Sequence, residues 1–316
     1  MSLDDCPRFD RNPETTRCVA LMTNYGRVPP QVAIILGCGD VGSAVAVTLH
    51  RAGFAVVIAD EADPPWHRRG MTFTDAWYTG IAELDGEGAC FCASLKSVPS
   101  ILARRMIAAT TWSWPGIAAA FEPALLVDAR GRKRHGYDNM RGRAPFTICI
   151  GSGVADAGLV DMAIPAMSAE SGATESAAAD QVSRDRVAVN TDGGASTIEA
   201  RRHGRFMTDR RIGDTVRKGE VVGGLGNDPI RAPSRGVLLG LAARGARIEP
   251  GDILVEVDPV GAEHECYGVS KDAGRTARRV LEAFETGVGS SSCCNTASPQ
   301  SRDSVIREEY PQCANI

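Results

Sequence analysis

Gly37, Gly39 and Gly42 form a Gly-x-Gly-x-x-Gly turn, and Asp60 follows at about the 20-residue distance at which dinucleotide-binding domains place an acid. In that chemistry the first glycine permits a tight turn and the second lets backbone approach a pyrophosphate. The third lets the following helix sit near the strand before it, and that helix's free N–H groups attract anions. Asp60 would then accept a hydrogen bond from a ribose 2′-OH. The same glycines and acid also occur in degenerate domains of this kind that bind nothing, where they serve packing alone. Asp40 follows the second glycine, where it could cap the helix through N–H groups one turn on. A carboxylate there also repels phosphate, which suits a metal or hydrogen-bond donors on a pterin better than a pyrophosphate. His67-Arg68-Arg69 is a basic loop just past Asp60. Arg68 and Arg69 are either phosphate ligands, since Arg can hold phosphate through two parallel bonds, or part of a solvated turn.

Other reactive residues carry weaker patterns. Asp128 is followed by Arg130, Arg132, Lys133 and Arg134, which reads equally as an anion-binding strand end or a polar turn. Gly151-Ser152-Gly153 is a simple turn or a second anion-receiving one. Cys90 and Cys92 share a face if the chain is extended there, and sulfur transfer would need a thiol pKa lowered by a nearby cation. A buried structural role is the plainer reading. The 10 cysteines are scattered, with no Cys-x-x-Cys and no His at metal-finger spacing, so no metal site is expected. No Ser/His/Asp set, His-Glu-x-x-His or carboxylate couple stands out among the residues, and no catalytic centre is apparent.

These residues need elements to hold them. Val32–Leu36 is an apolar run leading into the glycines; Val41, Val45, Val47 and Leu49 make an amphipathic run closed by Gly53; Ala55–Ala59 is a second apolar run ending at Asp60. That is the strand, turn, helix, strand order of a Rossmann-like βαβ unit. Further apolar runs, Ala124–Asp128 and Phe146–Ile150, also end in Asp or Gly, and the ligand crevice of open α/β sheets lies at such carboxyl ends. A helix is predicted over Ser97–Ala109, with Leu102, Met106 and Ile107 inward. Past residue 206 the pattern changes to short strands and turns. Gly213-Asp214-Thr215-Val216 is echoed by Pro250-Gly251-Asp252-Ile253, with Ala232-Pro233 and Gly236-Val237 between.

The expected class is therefore α/β: a Rossmann-like parallel-sheet domain followed by a small β module. That module resembles the biotinyl/lipoyl barrel-sandwich, built from two quasi-symmetric halves. Carrier versions bear a lysine at the hairpin tip, and Gly224-Leu225-Gly226-Asn227-Asp228-Pro229 has none, so a docking or structural role is expected. The predicted divisions are a flexible segment over 1–30, the Rossmann-like domain over 31–164, and a low-complexity excursion over 165–186. The β module over 187–260, a closing helix over 261–285 and a disordered tail over 286–316 follow.

A net charge of −4 and no basic patch interleaved with aromatics argue against nucleic-acid binding. No apolar run approaches the roughly 20 residues of a membrane span, and the acidic N-terminus does not read as a secretory signal. A cytoplasmic protein with reduced cysteines is expected.

The order of several short motifs is similar to one family. They are Gly37-Cys38-Gly39-Asp40, Leu49-His50-Arg51-Ala52-Gly53-Phe54, Arg68-Arg69-Gly70-Met71-Thr72-Phe73, Ala76-Trp77-Tyr78-Thr79-Gly80, Val127-Asp128-Ala129-Arg130, Asn190-Thr191 and Val257-Asp258-Pro259. Over residues 31–285 the chain resembles the YqeB-like, selenium-dependent molybdenum hydroxylase accessory proteins, related to the XdhC/CoxI maturation factors. The resemblance implies a factor that handles the molybdopterin cofactor, or its terminal sulfur or selenium, for a molybdenum hydroxylase client. A sulfur- or selenium-delivery protein is then a second partner. Two alternatives stand beside it: an NAD(P)-dependent oxidoreductase, and a non-catalytic Rossmann scaffold. The candidate ligand is correspondingly a molybdopterin-type cofactor or NAD(P), and the candidate binding residues are Gly37, Gly39, Asp40, Gly42, Asp60, Arg68 and Arg69.

Overall fold

The computed structural model describes residues 30–131, 138–151, 158–165, 187–192 and 194–292. The first unit runs β1 (Val32–Leu36), α1 (Asp40–Arg51), β2 (Ala55–Ala59), α2 (Asp75–Thr79), β3 (Ile81–Leu84) and β4 (Glu87–Phe91). It continues through α3 (Val98–Ala103), β5 (Ile107–Thr110), α4 (Trp114–Phe121), β6 (Leu125–Asp128), β7 (Phe146–Ile150) and β8 (Met162–Ile164). These eight strands form one sheet in the order β3-β4-β5-β2-β1-β6-β7-β8. All neighbours pair in parallel except the β3–β4 hairpin at one edge. β1 and β2 are buried at every position, which is why both read as continuous apolar runs rather than alternating ones. The β3–β4 turn is made by Asp85 and Gly86, at φ +51° and +81°, the left-handed pair that matches strand twist in a two-residue hairpin.

The chain enters α1 at β1's carboxyl end and leaves it at Gly53 (φ +96°), where Phe54 N–H returns to the Leu49 carbonyl. The helix predicted over Ser97–Ala109 is shorter than expected. It ends at Ala103, Arg105 takes a left-handed φ of +56°, and Ile107–Thr110 is a fully buried strand between β2 and β4. A short apolar run buried on both faces has no period that separates strand from helix, and only its pairing partners decide.

The second unit holds β9 (Val187–Asp192), β10 (Ala195–Ala200), β11 (Gly204–Met207), β12 (Thr215–Val216), β13 (Val221–Leu225) and β14 (Asp228–Arg231). β15 (Gly236–Leu241), β16 (Arg247–Ile248) and β17 (Ile253–Asp258) complete it. They form two antiparallel sheets, ordered β12-β15-β17-β10-β9 and β14-β13-β11-β16. Phe206, Val216, Leu238, Leu241, Leu254 and Val257 lie in the core of this unit. The repeated Gly-Asp turns are alike in detail. Asp214 Oδ2 accepts from Arg211 N–H at 3.0 Å and Asp252 Oδ2 from Glu249 N–H at 2.7 Å, with Gly213 and Gly251 left-handed in both.

α5 (Lys271–Ser292) then returns to the first unit. Ala273, Ala277, Val280 and Phe284 join the core around α1, and Phe284 meets Phe54 edge-on at 5.3 Å and Phe146 at 6.2 Å. The helix expected over 261–285 begins instead at Lys271, after a 3-10 turn over Glu263–Cys266, and runs on to Ser292, into the segment expected as tail, with Gly287 against the Phe146 ring. The readings of 1–29, 166–186 and 293–316 fall outside the described residues.

Candidate functional site

β1 is the switch point of the parallel sheet, since β2 lies on one side of it and β6 on the other. Ligands in open α/β sheets bind outside the strand ends at such a point, and a cavity of about 330 Å³ opens there. Gly39, Asp40, Val41, Ala129 and Gly131 line it from the first unit, and Thr197, Ile253 and Glu256 wall it from the second. Trp66, His67 and Arg68 come from the loop that follows β2 in the first unit.

Within the glycine turn each residue answers to a contact. Gly37 has φ +97°, and its N–H donates to the Ala59 carbonyl at 2.8 Å. Gly42 is where α1 closes on the turn: a Cβ there would lie 2.0 Å from the Gly37 oxygen. The first intrahelical bond joins Ser43 N–H to the Gly39 carbonyl, so the N–H groups of Asp40, Val41 and Gly42 precede the helical ladder. Gly39 receives an unexpected neighbour. A Cβ there would lie 2.8–3.0 Å from three ring carbons of Trp66, so the face of the indole lies where a pyrophosphate would approach.

Asp60 is committed to holding this arrangement. Its Oδ2 accepts from Cys38 N–H at 2.7 Å and from Trp66 Nε1 at 2.8 Å, while Oδ1 accepts from Glu61 N–H at 2.8 Å. It staples the glycine turn to the indole instead of standing free for a ribose. The Cys38 thiol beneath is pushed well up by burial and by the Asp60 charge, which makes it a filler and not a nucleophile.

Asp40 does not cap α1; it is the first helical residue, behind Gly39, and no side-chain capping bond forms. Its carboxylate turns to Arg68 Nη1, 3.4 Å from Oδ2. Arg68 is bound far more closely elsewhere, through Nε to Glu256 Oε2 at 2.7 Å and Nη2 to Glu256 Oε1 at 2.6 Å. His67 Nε2 adds 2.9 Å to the same Oε2. Burial alone would raise Glu256, but the bonds from Arg68 and His67 outweigh it and hold the carboxyl down at about 2. The Glu256 bond likewise holds Arg68 in its charged form against burial. Asp40 goes the other way: burial raises its pKa, and Arg68 and His67 offset this only in part.

The basic loop is thus a clasp between the two units. Arg69 is absent from the cavity lining; it donates from Nε to the Leu241 carbonyl at 2.9 Å and pairs with Asp75. Leu241 N–H returns to the His67 carbonyl at 2.7 Å. Neither arginine is placed as a free phosphate ligand, because the carboxylates of Glu256 and Asp75 already satisfy them.

Arg130 forks onto Asp128 at 2.9 and 2.7 Å and reaches Asp138 at 2.9 Å; residues 132–137 and 152–157 lie outside the described set. Cys90 and Cys92 do face one side, towards the same apolar cluster. Burial pushes the Cys92 thiol up to about 11, opposite to what sulfur transfer needs. Among the described residues no group of three or more His, Cys, Asp or Glu could hold a metal ion, and no helix is long and apolar enough to cross a membrane.

Sequence reasoning missed Trp66, Thr197, Ile253 and Glu256. Glu256 left one signal, a charged residue among the apolar residues of β17, ahead of the Asp258 that ends the strand.

No family model matches the chain. It is 26% identical over 256 residues to the uncharacterized protein YqeB of Escherichia coli K12, covering 80% of this chain and 47% of that protein. The chain is YqeB-like in sequence and spans about half the length of that relative. A succinylglutamate desuccinylase from Silicibacter sp. TM1040 is similar at a TM-score of 0.22 and 14% identity, over 72% of this chain and 85% of that one.

Proposed function

We propose that the protein binds a small heterocyclic cofactor in the cleft between its two units, as an accessory factor in the maturation of a molybdenum hydroxylase of the xanthine dehydrogenase type. The observation that carries the binding reading is the position of the cavity. It opens at the sheet's switch point, spans about 330 Å³ and has its far wall supplied by the second unit, at the small end of the range for ligand sites. The molybdenum reading is supported by the ordered motifs of the sequence and by the likeness to YqeB. On it the ligand is a molybdopterin-type cofactor, the client is the hydroxylase, and a sulfur- or selenium-delivery protein supplies the terminal ligand. The protein works in the cytoplasm as a maturation factor rather than a turnover enzyme. The second unit is a barrel-sandwich in this reading, supported by its paired Gly-Asp turns, and it docks the client and walls the site.

An NAD(P)-dependent oxidoreductase fits less well, because Asp60 is engaged by Cys38 and Trp66 and the indole covers Gly39. The test is purification from cells that make molybdopterin, with pterin fluorescence after oxidation and bound molybdenum as readouts. Wild type should retain both, and Ile253→Trp, which fills the cleft from the second unit, should lose both. Nicotinamide fluorescence should not be quenched. A protein that retains neither pterin nor molybdenum, yet still captures a hydroxylase subunit, would be the non-catalytic scaffold instead.

A further inference from the structure

The polar groups in the cleft are unequally occupied. Both oxygens of Glu256 take short bonds from Arg68, and one takes a third from His67. Asp40 has only the long 3.4 Å contact from Arg68 to Oδ2, and among the described residues no donor reaches Oδ1. A carboxylate accepts at about four lone-pair positions, so Asp40 keeps acceptor positions to spare in the cleft. Arg68 and Glu256 pair closely with each other, which leaves the Asp40 carboxylate as the acidic group of the pocket wall that lacks a short partner among the described residues. Its open acceptor positions favour hydrogen-bond donors. Around the carboxylate the wall is flat or apolar: Val41, Ile253 and the indole of Trp66, whose ring is fixed by its bond to Asp60.

We infer that Asp40 binds the donor edge of a flat 2-amino-4-oxopyrimidine ring, the edge shared by pterins and guanine. The ring's amino group and adjacent imide N–H lie side by side and match the two oxygens of one carboxylate, as a guanidinium does. Burial disfavours the ionised form of Asp40, so the unliganded protein keeps this charge at a cost in stability. Two donors from a ligand would relieve that cost, and a carboxyl raised by burial in a cleft is a candidate functional group. This inference rests on the cleft being a ligand site and adds which edge of the ligand it reads.

The test pairs rings that differ at this edge, using the full-length protein. Neopterin is titrated against the lumazine that carries oxygen in place of its amino group, and GMP against IMP, with intrinsic tryptophan fluorescence as the readout. At least one amino-bearing ring should bind about tenfold or more tighter than its counterpart, as expected for hydrogen bonds to a charged group; which pair does so separates a pterin source from a nucleotide one. Asp40→Asn should lose that preference and gain affinity for lumazine, whose oxygen can accept from the new amide, while Asp40→Glu should keep the wild-type order. Equal affinity of wild type for both members of each pair, or an unchanged preference in Asp40→Asn, overturns the assignment to Asp40 and leaves the cleft a ligand site. Absence of binding by all four rings overturns it as well, and retention of pterin and molybdenum by the purified protein then tells whether the cofactor reading survives alone.

Discussion

Replacing Arg68 by methionine keeps an apolar stem in place and removes two of the three donors to Glu256, a side chain only 3% exposed. Stripping one partner from a buried ion pair costs about 3–5 kcal/mol, chiefly because a charge stays buried without compensation. The His67 donor remains, and the Arg68 side chain is itself 36% exposed, so water can enter the gap; the expected loss is about 3 kcal/mol. A second signature comes from pH. Burial would raise Glu256, yet the bonds from Arg68 and His67 hold it at about 2 against an ordinary 4.5. A carboxyl lowered on folding contributes stability that is present above pH 4.5 and lost as pH falls towards 2. At about 1.4 kcal/mol per tenfold change in proton affinity, that contribution is also about 3 kcal/mol. Urea unfolding at pH 7 and pH 3 measures both effects for wild type, Arg68→Met, Glu256→Gln and the double variant. Arg68→Met should lose most of its deficit at low pH, Glu256→Gln should flatten the acid dependence, and the double variant should cost less than the two singles added. A deficit below about 0.5 kcal/mol for Arg68→Met at pH 7, the size of an ordinary surface substitution, would refute the clasp. So would an acid dependence in Glu256→Gln equal to that of wild type.

Gly42→Ala places a Cβ 2.0 Å from the Gly37 carbonyl oxygen, a backbone atom that cannot swing aside. A loss of about 3 kcal/mol or insoluble protein is expected, read by urea unfolding or by the soluble fraction on expression. Asp40→Asn should leave the thermal midpoint at pH 7 unchanged or higher. Its pKa is raised by burial more than Arg68 and His67 lower it, so ionisation above its ordinary value opposes folding. A clear drop in midpoint would show a structural role for the carboxylate. Cys92 should resist iodoacetamide in the native protein at pH 8, because burial pushes its thiol up to about 11. Mass-mapped labelling as fast as that of an unfolded control would contradict this.

The βαβ start was legible in the sequence because its evidence is local. Gly37, Gly39 and Gly42 stand between two apolar runs, an amphipathic run follows the glycines, and Asp60 stops the second strand. Strand β5 was not legible, since Ile107–Thr110 is buried on both faces and its identity depends on β2 and β4, distant in the chain. For the binding residues the types were visible and their employment was not. Asp60 and Arg68 are the residues a phosphate or ribose site would use, yet Trp66 and Glu256 engage them first.

What the sequence determined by itself was whatever chain neighbours enforce: the turn that only glycine permits, the amphipathic run of α1, the unbroken apolar strands of a sheet buried on both faces, and the twin Gly-Asp turns. What only the tertiary structure decided was which charges meet. Arg68 and Glu256 are 188 residues apart in the chain and 2.6 Å apart in the fold. No local pattern encodes that pairing, because it exists only once the antiparallel unit closes over the switch point. The same closure leaves Asp40 with acceptor capacity to spare, and so sets the chemistry of the cleft.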